Sequence, residues 1–121
     1  MQHLLKTRPF ARLARKYGIT DVTLKQAVEE MKNGLYEANL GGNLFKKRIA
    51  VGGRGKSGGS RHIIATNLQD RWFFLHCYLK KDVENISQKD EDDFKAFARL
   101  VLNLTDKDIE KAIRDGILEE I

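Results

Sequence analysis

Six positive side chains, Lys46, Lys47, Arg48, Arg54, Lys56 and Arg61, fall in a stretch from Ala38 to Gln69 that holds no acidic residue. Such a stretch attracts phosphates or an acidic protein. Lysine and arginine can also do chemistry on RNA. Cutting its backbone takes a base for the 2′-OH proton, cations for the charge growing on the phosphate, and an acid for the leaving 5′-oxygen. A lysine serves as base or acid only where burial or neighbouring positive charge lowers its pKa, and a crowded basic patch supplies the latter. In LFKKRIAV the two-residue period puts Leu44, Lys46, Arg48 and Ala50 on one side and Phe45, Lys47, Ile49 and Val51 on the other. Arg61 opens the next strand, and Lys80 with Lys81 closes the last, so these strand ends can converge in an antiparallel meander. The glycine-rich GGRGKSGGS places Arg54 and Lys56 on a flap over that face. Lys47, on the apolar side, is expected to snorkel at the edge of the core. A phosphate-binding surface without catalysis is the alternative for the whole set.

Other motifs carry less. Ala50 to Ser57, AVGGRGKS, satisfies the loosest form of a phosphate-binding P-loop. That loop must run from a strand into a helix whose N-terminus receives the phosphate, whereas here Gly58, Gly59 and a strand follow. Nucleotide hydrolysis is therefore disfavoured. Trp72, Phe74, His76 and Tyr78 alternate along one strand and could stack on bases, although large aromatics more often fill a core. His76 reads as structural, and with His3 and His62 it shows no metal-binding spacing, so neither a metal nor another cofactor is expected. The lone Cys77, in WFFLHCYL, reads as a buried apolar group and suits a reducing compartment.

The elements that must position these residues follow from local signals. After a short N-terminal strand, Thr7, Arg8 and Pro9 begin a helix that stops at Gly18, with Phe10, Leu13, Ala14 and Tyr17 as its apolar stripe. A second helix from about Asp21 carries Leu24, Ala27, Val28 and Met31 and ends at Gly34, completing a helical hairpin. Strands follow from Leu44, from Arg61 to Leu68 and from Trp72 to Lys80. Ser87 and Thr105 each begin a further helix, the first with Phe94, Phe97, Ala98 and Val101 facing the core and the second running from Thr105 to Asp115. The fold class is thus α+β: an N-terminal strand and helical hairpin packed on an antiparallel three-strand meander, then two C-terminal helices, in one domain over residues 1–121. Residues 1–81 carry a net charge of +11 and residues 82–121 a net of −6, the latter read as a solvated helical face. No run is apolar enough to span a membrane or serve as a signal peptide, so the chain is expected in the cytosol.

The run LFKKRIAVGGRGKSGGSRHIIA, followed by WFFLHCYLKKDVENIS and an acidic-start helix, resembles the RelE/HigB branch of the RelE/ParE toxins of bacterial type II toxin–antitoxin systems. The resemblance extends to KTRPFARLARKYGI and AVEEMKNGLYEANLGGNL near the start. It implies a small, metal-independent mRNA endoribonuclease working on the translating ribosome, in contact with mRNA and rRNA, and held inactive by a cognate antitoxin. By the same resemblance the catalytic roles fall on Lys46, Arg48, Arg61 and Lys81, and RNA or ribosome binding on Arg54, Lys56 and Lys80. Two departures stand out: Lys81 stands where an arginine is common, and Ser87 replaces a tyrosine. A lysine at position 81 keeps the charge but loses the bidentate fork. The other reading is a non-catalytic relative, either a ParE-like gyrase inhibitor or a module that binds only nucleic acid and antitoxin.

Overall fold

The computed structural model describes residues 2–50 and 59–121; Arg54 and Lys56, with the P-loop-like segment from Val51 onward, lie outside them. The element order is β1 (His3–Thr7), α1 (Arg8–Tyr17), α2 (Asp21–Lys32), β2 (Ala38–Gly41), β3 (Leu44–Ile49), β4 (Ser60–Thr66), β5 (Arg71–Leu79), α3 (Gln88–Leu102), α4 (Asp106–Arg114) and β6 (Leu118–Glu120). The class is α+β, with the helical hairpin, the β3–β4–β5 meander and the two C-terminal helices in the expected order. Two short strands, β2 and β6, add to it. Together the strands make one sheet of order β2-β3-β4-β5-β1-β6, in which β1 lies parallel to β5 and every other pair is antiparallel.

Local chemistry explains the helix starts. The hydroxyls of Thr7, Thr20, Ser87 and Thr105 each accept a hydrogen bond from the backbone N–H three residues on, which satisfies a donor the helix itself cannot pair. Gly18 ends α1 in the left-handed conformation at φ 70°. Ser87, where the family resemblance expects a tyrosine, is the cap of α3 and accepts from Asp90 N at 3.0 Å.

Helices cover both faces of the sheet. On one, Phe10, Ala14, Leu24, Ala27, Val28 and Met31 of the hairpin pack on Phe45, Ile49, Ile64, Trp72, Phe74 and Cys77. On the other, Ala98 and Val101 of α3 and Ile109 of α4 pack on Leu5, Leu44, Ile63, Ala65, Phe73, Leu75 and Tyr78. Every residue of β4 is buried, as befits a central strand covered on both sides. Phe97 departs from its expected core position and is 39% exposed.

The two-residue alternation expected along β5 does not survive its whole length. Ile63 pairs with His76 but Ile64 pairs with Phe74, so Leu75 is an extra residue. This bulge reverses the parity: Trp72 and Phe74 point to the α1–α2 core, while Tyr78 joins the α3 core and His76 stacks on Phe94 at 5.5 Å. The four aromatics therefore form no common platform. Among the described residues, no helix is long and apolar enough to cross a membrane.

Candidate active site

Lys46, Arg48 and Arg61 come together on the α3 side of the sheet. Strand parity puts Lys46 and Arg48 on that side of β3, and β3–β4 register sets Arg48 opposite Arg61. What holds them is a residue just before the acid-free stretch. The Glu37 carboxylate lies 2.8 Å from Arg61 Nε, 3.1 Å from Arg48 Nε and 3.3 Å from Lys46 Nζ. One carboxylate against three cations leaves a surplus of positive charge, concentrated where Arg61 is only 6% exposed. A guanidinium as poorly solvated as that of Arg61 persists only with such compensation.

Glu37 reaches the cluster through a tight hairpin. Gly42 and Asn43 both take positive φ, 62° and 64°, as a two-residue turn matched to strand twist requires. The turn folds β2 back on β3, pairs Ala38 with Lys46, and lets Glu37 N–H donate to the Lys46 carbonyl at 2.8 Å. Sequence reasoning missed Glu37 because the ANL segment is too short for its alternation to mark a strand. The signal was the Gly-Gly-Asn turn, which brings whatever precedes ANL over the basic strand.

Of the other predicted residues, Lys80 and Lys81 fall within the described structure. Gly59 O accepts from Lys80 N–H at 3.2 Å, so the start of β4 is clamped to the end of β5 and the turn bearing Lys80 and Lys81 sits at the Arg61 end of the sheet. A Cβ at Gly59 would collide with the Ile49 carbonyl, which keeps β3 and β4 close at this point. Lys80 Nζ donates to the Glu84 carbonyl at 3.3 Å, turning that side chain into its own loop. Lys81 is exposed. The same loop sends Asn85 back to the cluster, where its Oδ1 accepts from Lys46 Nζ at 3.1 Å. Lys47 sits on the opposite face, with Nζ 2.6 Å from Glu30 Oε1 on α2, at the core edge as its parity requires.

Tyr78 completes the row. It faces Arg61 across β4–β5, so Arg48, Arg61 and Tyr78 lie side by side on three strands. Burial pushes its phenol up, the Glu37 charge adds to that, and Arg61 opposes it, so both charges act on this hydroxyl. A cleft of about 320 Å³, lined by Leu35, Tyr36, Glu37, Lys47 and Arg48, opens beside the cluster. His76 lies on the same face of β5, its pKa lowered by burial and partly restored by Asp90.

Guanidinium and ammonium groups gathered round one carboxylate can grip a phosphodiester, and the carboxylate can take a proton beside it. Residues 2–121 match the protein family described as RelE toxin of RelE / RelB toxin-antitoxin system. The chain belongs to this family. RelE-family membership makes it a toxin of a toxin–antitoxin pair and implies an antitoxin as partner. No curated protein shows significant sequence similarity to this RelE-family chain.

Proposed function

We propose that the protein is a metal-independent, ribosome-dependent mRNA endoribonuclease of the cytosol that stops translation and growth until its antitoxin binds. The observation that carries this reading is the convergence of Lys46, Arg48 and Arg61 on the single carboxylate of Glu37. A phosphodiester carries the same negative charge and the same pair of oxygens as that carboxylate. As it docks, its oxygens take over Arg61 and Arg48. Glu37, still beside Lys46, turns to the neighbouring 2′-OH.

Chemistry then follows from the groups present. Carboxylates at neutral pH can accept a proton, whereas lysines already hold one, so Glu37 is the better base and Lys46 serves as a cation. The 2′-OH proton passes to Glu37 and the 2′-oxygen bonds to phosphorus. Arg61 and Arg48 hold the growing charge on the phosphate oxygens. The bond from phosphorus to the 5′-oxygen breaks, and the ammonium of Lys81 protonates that oxygen. The products are a 2′,3′-cyclic phosphate and a 5′-hydroxyl end. Lys80, Arg54 and Lys56 grip mRNA and rRNA electrostatically.

The test is expression in growing cells together with mapping of mRNA ends in translating extracts, with and without ribosomes. Wild-type protein should arrest growth and generate new 5′-hydroxyl ends only where ribosomes translate. Arg61→Ala and Lys81→Ala should each suppress both. Growth arrest and cleavage that survive both single substitutions would overturn the site.

A further inference from the structure

One buried group near the cluster has nothing to bond to among the described residues. Tyr78 is 4% exposed, its ring is part of the α3-side core, and its hydroxyl has no hydrogen-bond partner among the described residues. Phenylalanine would fill the same volume without burying an unsatisfied donor, so this hydroxyl costs stability and packing does not explain it. Its position suggests what does. Tyr78 faces Arg61 across the β4–β5 pair, and the charges of Glu37 and Arg61 both act on its phenol. The Glu37 side chain is 24% exposed, whereas that of Arg61, 2.8 Å away, is 6% exposed, so of the pair it is Glu37 that solvent reaches more.

Building on the nuclease reading above, we propose that Tyr78 is a hydrogen-bond donor to the scissile phosphate, idle in the free protein and engaged when a phosphate oxygen displaces Glu37 from Arg61. The hydroxyl keeps its proton throughout. It forms one O–H···O bond to a non-bridging oxygen, and that bond strengthens as negative charge gathers there, so its contribution falls mainly on the chemical step. Burial and the Glu37 charge both favour the neutral phenol, the form able to donate. Arg61 holds the same phosphate from the adjacent strand, so the two donors approach it from neighbouring positions of one row.

Tyr78→Phe isolates the hydroxyl. Single-turnover mRNA cleavage should be followed at saturating ribosome complex and as a function of its concentration, with melting temperature measured alongside. The expected result is a fall in the saturating rate on the order of 10²-fold, a half-saturation concentration changed by less than about threefold, and a melting temperature equal to or above wild type. Wild-type cleavage by Tyr78→Phe would overturn the proposal. So would a clear drop in melting temperature, because it would show that the hydroxyl has a structural partner. Arg61→Ala is run in parallel. If it abolishes cleavage while Tyr78→Phe does not, only this role for Tyr78 fails; if both cleave normally, the nuclease site itself is wrong.

Discussion

Glu37 Oε2 stands 2.8 Å from Arg61 Nε, although Glu37 immediately precedes β2 and Arg61 lies on β4, with β3 between those strands. This pairing sets what substitution at either end should do. Glu37→Gln keeps the shape and a hydrogen-bond acceptor but removes the base. Cleavage in a translating extract should fall by roughly 10²- to 10⁴-fold, the range for loss of a positioned general base. Binding of a short RNA should be unchanged or tighter, because the cations lose their internal counter-charge. An RNA affinity that falls along with cleavage would instead make Glu37 a scaffold for the cations.

Arg71 predicts the opposite pattern. Its guanidinium donates to the carbonyls of Leu102 and Leu104 at the end of α3 and to Asp106 Oδ1 at 3.1 Å, where His3 Nε2 also lies at 3.2 Å. It thus ties the start of β5 to the α3–α4 junction, far along the sheet from Arg61. Arg71→Ala leaves the partly buried carbonyls of Leu102 and Leu104 short of a donor and should cost about 1–2 kcal/mol in urea unfolding. Cleavage per folded molecule at room temperature should match wild type. A loss of cleavage without a loss of stability would mean that Arg71, at the far end of the sheet, also takes part in the chemistry.

The contrast between these arginines shows how far the sequence carries. Helix caps at Thr7, Ser87 and Thr105 and the parity of Lys46, Lys47 and Arg48 were legible, because each depends on neighbours within a few residues. The roles of Glu37 and Arg71 were not, since their partners are fixed by strand register and helix docking. The aromatic row along β5 failed for a related reason. Period-two alternation assumes a regular strand, and one extra residue at Leu75 sends Trp72 and His76 to opposite faces. Parity was dependable in β3, where the pairing with β4 has no bulge.

Cys77 offers a probe of folding rather than of function. It is 1% exposed, and burial pushes its thiol up to about 12, so little thiolate exists at pH 8 and none is accessible. Iodoacetamide at that pH should leave the folded protein unmodified and alkylate one thiol per chain in denaturant. Rapid alkylation of folded protein would show that β5 opens locally on the timescale of the reaction.

His62 ties stability to pH. Its ring is fully buried between Phe10 and Phe74, Nε2 lies 2.7 Å from Ser60 Oγ, and Nδ1 has no partner among the described residues. Burial, with a smaller contribution from His76, lowers its pKa from 6.5 to about 3. The folded chain therefore refuses a proton that the unfolded chain accepts once pH drops below 6.5. Above that value both states are neutral and His62 adds no pH dependence. Below it the unfolded state is favoured progressively, so stability falls as pH decreases towards about 3, with a limiting slope of about 1.4 kcal/mol per pH unit. Urea unfolding at pH 7.5, 6, 5 and 4.5 should show this decline, and His62→Phe, which leaves Ser60 Oγ its bond to the Ile49 carbonyl at 3.3 Å, should flatten it between pH 6.5 and 5. Carboxylates take over below that window in both proteins. An unchanged slope in the variant would mean that His62 is protonated in the folded core, with Nδ1 finding an acceptor there.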